Sequence, residues 1–382
     1  MLYGNGINDD TCALQELLDR RGIVTIDRPG VYLVSKTLII HSNTRLILSP
    51  GAKLLAGKNS RCALIENEHF AGGGRDENIE IVGGIWDGNC DEQGLIAEVE
   101  TDNLRSFPYD PKHFRGKLIR FARIDRLSLS GLTVRNPVSY GIQIADAYGF
   151  VVRDVFFDYN HHFGTTDGVH INGPARDGVI ENLAGTTNDD LVSLTSYDEE
   201  HAEVTVGDIE NVAIRNLSAK NGYSAIRLMS GKNTIVRGIT ISGLCGTFRH
   251  HAIVISNHDH EPGRVWFDQI SIENVFACKS NTPLGNDCHI KWEKYADRDA
   301  FIFFGDEAIC GSVVVKNIHR HQNFSTTSPL FQFSRSCSID RLVLDNVTQT
   351  TENGATAPVW WDEGATIKTL IERDSITQSH RN

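Results

Sequence analysis

The chain has 382 residues, with 37 basic against 49 acidic side chains and a formal net charge of −12. That balance argues against nucleic acid as a partner, which selects a basic surface, and no apolar run reaches membrane-spanning length, so no membrane partner is expected. No Pro/Ser-rich linker or low-complexity segment divides the sequence, so 1–382 reads as one elongated domain.

Near the start, Asp9-Asp10-Thr11-Cys-Ala-Leu-Gln-Glu-Leu-Leu-Asp-Arg-Arg combines acidic cap residues with apolar positions at helical spacing, and Gly22 follows it. This predicts a short amphipathic helix within a cap spanning 1–22. No signal peptide precedes the first strand, so the chain as it stands reads as cytoplasmic; removal of a leader would make it secreted or periplasmic.

From there a phrase recurs: Leu-Ser-Gly131-Leu, Val-Arg-Asp154-Val, Ile-Glu-Asn182-Leu, Ile-Arg-Asn216-Leu, Val-Arg-Gly238-Ile, Ile-Glu-Asn274-Val, Val-Lys-Asn317-Ile and Leu-Asp-Asn346-Val. Its variable spacing is what a stacked solenoid produces, because each coil touches only its neighbours and surplus residues bulge out as loops. Gly, Asn and Asp suit a tight bend in the left-handed backbone region. Between the anchors lie short alternating segments, Gly141-Ile-Gln-Ile, Gly168-Val-His-Ile, Leu191-Val-Ser-Leu, Ala225-Ile-Arg-Leu and Ala252-Ile-Val-Ile. One side chain in two enters a core, as in strands. The fold class is therefore all-β, a parallel β-helix with a short N-terminal capping helix. Stretches of about 89–116 and 279–311 interrupt the repeat and are expected to wall a cleft. The eight cysteines, at 12, 62, 90, 245, 278, 288, 310 and 337, contain no Cys-x-x-Cys pair and read as buried thiols.

Two phrases carry chemistry. Thr-Thr-Asp167-Gly-Val-His170 and Thr-Asn-Asp189-Asp190-Leu place three carboxylates 22 and 23 residues apart, about one coil of the repeat. An isolated Asp at a solenoid turn usually bonds backbone amides; three of them on neighbouring coils point to acid/base chemistry. If the strands stack in register, Gln143, His170, Ser193, Arg227 and Val254 form one outward column beside them. His170, Arg227, Tyr223, Gln143 and His251 are the candidate substrate contacts. Trp86, Tyr140 and Trp292 are candidate sugar-stacking platforms set against plain core packing, and His161-His162 candidate cleft residues. His250-His251 with His258 and His260 matches no metal spacing, so neither a metal nor another cofactor is expected.

The ordered phrases Gly-Ile-Trp86-Asp87-Gly88-Asn89, Val-Arg-Asn136-Pro-Val-Ser-Tyr140-Gly-Ile-Gln, Val-Arg-Asp154-Val, Thr-Thr-Asp167-Gly-Val-His170-Ile and Asn188-Asp189-Asp190 resemble glycoside hydrolase family 28, the polygalacturonases, over roughly 80–260. Gly4-Asn5-Gly6-Ile-Asn-Asp-Asp-Thr resembles the opening segment of the wider pectate-lyase-like superfamily. The resemblance implies a right-handed β-helix and an inverting hydrolase of a poly- or oligosaccharide, pectin-type or related, with Asp189 as general acid and Asp167 with Asp190 as the base pair. The family's Gly-His-Gly and Arg-Ile-Lys phrases are missing; the corresponding stretches read Asn221-Gly-Tyr223-Ser and His250-His251-Ala-Ile-Val-Ile, and Arg227 is the candidate cation. Two alternatives stay open. One is a calcium-assisted polysaccharide lyase with Arg227 as base, the other a non-catalytic carbohydrate-binding or tailspike-like β-helix. Carbohydrate is the expected partner in all three, and the oligomeric state is not legible.

Overall fold

Three parallel sheets wind around one apolar core in the computed structural model, which describes residues 1–94, 116–197, 204–231, 233–257, 266–281, 300–305, 307–352, 354–374 and 377–381. The first sheet stacks Leu38–Ile40, Ile65–Asn67, the start of Ile119–Ser130, Ile142–Tyr148, the start of Val169–Thr186, Asp190–Thr195, Ser224–Ser230, Ile253–Asn257, Ile302–Phe304, Phe331–Phe333 and Trp360–Asp362. Longer strands such as Val169–Thr186 and Ile209–Gly222 bend at a corner and serve the second and third sheets in turn. This is the expected parallel β-helix. Among the described residues no helix is long and apolar enough to cross a membrane. Most of both repeat interruptions, 95–115 and 282–299, lies outside the described residues, as do Trp292, His258 and His260.

All eight anchors of the repeat have positive φ, between 51° and 69°. Seven share one column, Gly131, Asp154, Asn182, Asn216, Asn274, Asn317 and Asn346, and Gly238 does not. The strand register aligns Asn216 with Gly243 (φ 78°) and Asn211 with Gly238, so two left-handed columns run five residues apart along the solenoid. The similar Val-Arg-Gly238-Ile phrase sits in the earlier column. Within the main column the amides stack: Asn182 Nδ2 donates to Asp154 Oδ1 (2.9 Å), Asn216 to Asn182 (3.1 Å), Asn317 to Asn274 (3.0 Å) and Asn346 to Asn317 (3.0 Å). Asparagine thus tolerates the bend and ties each coil to the one before.

One continuous apolar cluster runs from Leu14 to Val347. Trp86 belongs to it, fully buried with Nε1 donating to Gly83 O (3.1 Å), so it is core and not a sugar platform. At one end a helix, α1 (Thr11–Leu18), covers the core with Leu14 and Leu18. It is shorter than the sequence suggests, and its acidic residues act differently: Asp10 accepts from Tyr3 N and Gly4 N upstream, leaving α1 without a side-chain cap. At the other end, interior columns finish in charge: Val315 and Leu344 are followed by Glu372, Phe304 and Phe333 by Asp362. The seven cysteines among the described residues are free thiols, but only Cys90, Cys310 and Cys337 are buried; Cys12 and Cys245 are exposed because they fall on outward positions of their elements.

The column of amides generates a stability expectation. Asn216→Ala loses a hydrogen bond and the short polar side chain that eases a left-handed bend, costing roughly 2 kcal/mol, whereas Asn216→Gly loses the bond but relieves the β-carbon strain and costs roughly 1 kcal/mol. Denaturant midpoints of the two variants should fall in that order below the wild type.

Candidate functional site

The predicted outward column forms in the predicted register: Gln143 pairs with His170, His170 with Ser193, Ser193 with Arg227 and Arg227 with Val254. Parity was right and exposure was not. Gln143, His170, Ser193 and Val254 are each no more than 2% exposed. Two residues along, the next outward column includes Ala122, Ala145 and Asn172, and Phe70 packs over Ala122 and Ala145 with Val204 against them. The strand floor therefore lies under a cover supplied by distant parts of the chain.

The same stacking assembles the carboxylates. Val169 pairs with Val192, which sets Asp167 beside Asp190 on the next coil, and Gly168 N donates to Asp190 O (2.9 Å). A β-carbon on Gly168 would stand 2.6 Å from Leu191 O, so the approach of the two coils requires glycine there. Gly141 N (2.9 Å) and Tyr159 OH (3.1 Å) both donate to the carbonyl of Asp167, pinning it from the preceding coil. Asp190 N donates to Asp167 Oδ1 (3.2 Å) and to Asp189 Oδ1 (3.0 Å). One oxygen from each of Asp167, Asp189 and Asp190 lies within 4.8 Å of the other two.

The charges on these groups follow from their surroundings. Burial, then the charges of Asp190 and Asp167, lift the Asp189 carboxyl well above the usual carboxylate range; Arg227 and the amide of Asp190 oppose this only in part. Asp189 keeps an edge open to solvent, whereas Asp167 and Asp190 are buried. Arg227 Nε donates to Asp190 Oδ2 (2.6 Å). Burial disfavours the guanidinium charge, but Asp190 and Asp189 outweigh it and hold Arg227 protonated beyond its ordinary range. Asp190 Oδ1 is buried and has no hydrogen-bond partner among the described residues.

The remaining candidates take other places. His170 Nδ1 lies 2.6 Å from Asp167 Oδ2, and its ring stacks on Tyr140 at 4.1 Å between centroids, so neither His170 nor that face of Tyr140 is turned to a substrate. Gln143 Nε2 donates to Asn172 Oδ1 (2.9 Å). Tyr223 is buried and stacked on His250 at 4.7 Å. His251 Nδ1 donates to Ala300 O (2.6 Å), and burial, followed by the nearby Lys279 charge, pushes its imidazole down to about 3. Burial and then His251, Lys279, Arg227 and Arg249 likewise hold His250 well below its ordinary range. His162 pairs with Asp91 at the surface (2.7 Å).

Sequence reasoning passed over Asn172, Arg249 and Lys279. Asn172 shares the outward parity of His170, which could have found it. Arg249 Nη2 donates to Asn188 Oδ1 (3.0 Å) beside the Asp pair, and Lys279 Nζ donates to Arg249 O (2.9 Å) and to His250 O; no local spacing signals either contact. Two groups among the described residues offer three ligand atoms within reach of one cation, the Asp triad and Glu68-His69-Asp76. In the second, Asp76 already accepts from Ser42 Oγ, Asn67 Nδ2 and His69 N. In the triad, a cation would compete with Arg227.

No protein-family model matches the sequence, and no curated protein matches it. Solved structures do resemble the fold. The surface protein and adhesin PfbA of Streptococcus pneumoniae is similar with a TM-score of 0.64 at 14% identity, over 99% of this chain and 97% of that one. The family 28 exopolygalacturonase of Yersinia enterocolitica aligns at 0.62 and 16%, over 96% and 76%. The A-module of the mannuronan C-5 epimerase AlgE4 of Azotobacter vinelandii aligns at 0.64 and 12%, over 100% and 96%. The chain therefore has the pectate-lyase-like parallel β-helix fold, one shared by hydrolases, an epimerase and adhesins.

Because the folded state holds the Asp189 proton more tightly than the unfolded chain does, the two states are equally protonated at low pH and differ between the unfolded and the folded titration. As pH rises through the ordinary carboxylate range the unfolded chain ionises first, and stability falls until the folded carboxyl ionises too. Asp189→Asn escapes this penalty and keeps an oxygen for Asp190 N. Its denaturation midpoint should exceed the wild type's at neutral pH, with the gap closing as pH falls.

Proposed function

We propose that the chain is an inverting glycoside hydrolase acting on a poly- or oligosaccharide of the pectin type or a related glycan. The observation that carries this reading is the crowding of three carboxylates on neighbouring coils, one oxygen of each within 4.8 Å of the other two, with Asp189 partly open beside two buried partners. Such a set divides naturally into an acid and a base. Asp189 gives its proton to the glycosidic oxygen as the bond to the anomeric carbon breaks. A water held by Asp167 and Asp190 attacks that carbon from the opposite face and passes its proton to the pair. Asp190 Oδ1, with no hydrogen-bond partner among the described residues, is the acceptor best placed for that water.

One oxygen from each carboxylate lies within 4.8 Å of the other two, nearer than the ~6.5–9.5 Å usual between the carboxyl groups of inverting enzymes. What favours inversion is the occupancy of the oxygens. Both oxygens of Asp167 accept hydrogen bonds, from His170 and from Asp190 N, and Asp190 Oδ2 is held by Arg227. Asp167 so engaged is a poor nucleophile, and the remaining oxygen, Asp190 Oδ1, is buried, suited to accept a proton from one water rather than to reach an anomeric carbon. The same ion pair speaks against a lyase, since Arg227 is kept protonated and is no base. The likeness to adhesins makes a non-catalytic glycan binder the outcome to test against.

A panel of neutral and acidic oligosaccharides, with reducing ends and product anomer followed by NMR, decides. Expected are reducing ends insensitive to chelator and a product anomer opposite to the substrate linkage. Asp189→Asn should lose on the order of 10³-fold in kcat while binding the glycan within about threefold of wild type. Unsaturated products would indicate the lyase, a retained anomer would make a carboxylate the nucleophile, and binding without turnover across the panel would leave the binder.

A further inference from the structure

Asp167 is the one member of the triad whose carboxylate is engaged by a histidine, and that histidine ends a chain of buried amides. A carboxylate only accepts, so the 2.6 Å contact makes His170 Nδ1 the donor. On its far side Nε2 faces Asn172 Nδ2 at 3.3 Å, and Asn172 Oδ1 faces Gln143 Nε2 at 2.9 Å. An amide nitrogen only donates. The chain therefore runs in one direction, Gln143 to Asn172 to His170 to Asp167, and leaves Nε2 as a lone-pair acceptor. Residues 143, 170 and 172 are at most 2% exposed. Tyr140 lies parallel to the imidazole within 6°, holding its plane, and Lys117 Nζ sits 4.5 Å from the same tyrosine ring.

We propose that His170 is a positioning residue: a neutral imidazole protonated at Nδ1, oriented by Gln143, Asn172 and Tyr140, that fixes Asp167 as an ionised acceptor. The inference rests on the hydrolase reading for its catalytic consequence, and on geometry alone for the tautomer. A neutral donor suits the site. It stabilises the carboxylate through a hydrogen bond without adding a positive charge that would cancel Asp167's repulsion on Asp189, which helps to keep the acid protonated. An imidazolium would do the reverse. Its Nε2 hydrogen would also face the hydrogens of Asn172 Nδ2, so both amides would have to flip. The stacked column converts strand register into the direction of a proton donor, in the way outer ligands fix the tautomer of a metal-bound histidine.

The test uses three forms of the full chain. Asn at 170 places its Nδ2 close to the position of the imidazole Nδ1 and can still donate to Asp167; Ala cannot. In His170→Ala, kcat should fall roughly 10- to 100-fold with KM within about threefold. The acidic limb of the pH–rate profile should move to higher pH by about one unit, because an undonated Asp167 holds its proton longer. His170→Asn should restore the limb to within about half a unit of wild type. An unmoved limb in His170→Ala, or equal limbs in Ala and Asn, would overturn the role. Nitrogen NMR on histidine-labelled protein, with the resonance assigned by its loss in His170→Asn, needs no substrate. It should show the Nδ1–H tautomer at neutral pH; an Nε2–H tautomer or an imidazolium would refute the chain of donors even if hydrolysis is observed. Absence of turnover with the correct tautomer would instead defeat the hydrolase reading.

Discussion

The pairing register between neighbouring coils is the constraint on which the rest depends. Parallel strands sit about 4.8 Å apart, so a residue's neighbours above and below are decided once the register is set. Pairing Val169 with Val192 brings Asp167 to Asp190, and pairing Asp190 with Ser224 and Ser193 with Arg227 brings the guanidinium within bonding distance of the same carboxylate. A one-residue slip would turn these groups into the apolar core. The register itself is held by interior columns and by the amide stack at the corners, so the geometry of the carboxylate cluster and the stability of the fold draw on the same contacts.

Electrostatics then divides like groups into unlike roles. Asp190 has an arginine and Asp167 a histidine at its carboxylate, whereas at Asp189 the amide of Asp190 and the charge of Arg227 only partly oppose burial and the repulsion of its neighbours. Burial and that repulsion push the Asp189 carboxyl above the usual carboxylate range. Natural proteins tolerate such strained arrangements where function needs them and offset the cost elsewhere; here a single apolar cluster extends through the solenoid.

Much of this was legible from residue order. Every anchor of the repeating phrase adopts the left-handed bend inferred from its Gly, Asn or Asp, and the outward column from Gln143 to Val254 stacks as its alternation implied. What failed did so for physical reasons. Gly238 carries the right phrase in the wrong corner, since two bends five residues apart favour the same residues. The column is buried, and at its start Phe70 packs over Ala122 and Ala145 of the neighbouring one; contacts at such separation leave no periodic trace. His170 reads as an outward substrate contact and Tyr140 as either a sugar platform or core packing, and the two stack on each other. Arg249 and Lys279 bond to residues of other coils, which spacing does not report.

The central claim is that three stacked carboxylates share their protons unequally, with Asp189 as the protonated member. A neutron diffraction structure at neutral pH sees this directly. The account predicts a deuteron on the Asp189 carboxyl, one on His170 Nδ1, and none on Asp167 or Asp190. A bare Asp189, or a deuteron on Asp190 facing Arg227, would contradict it.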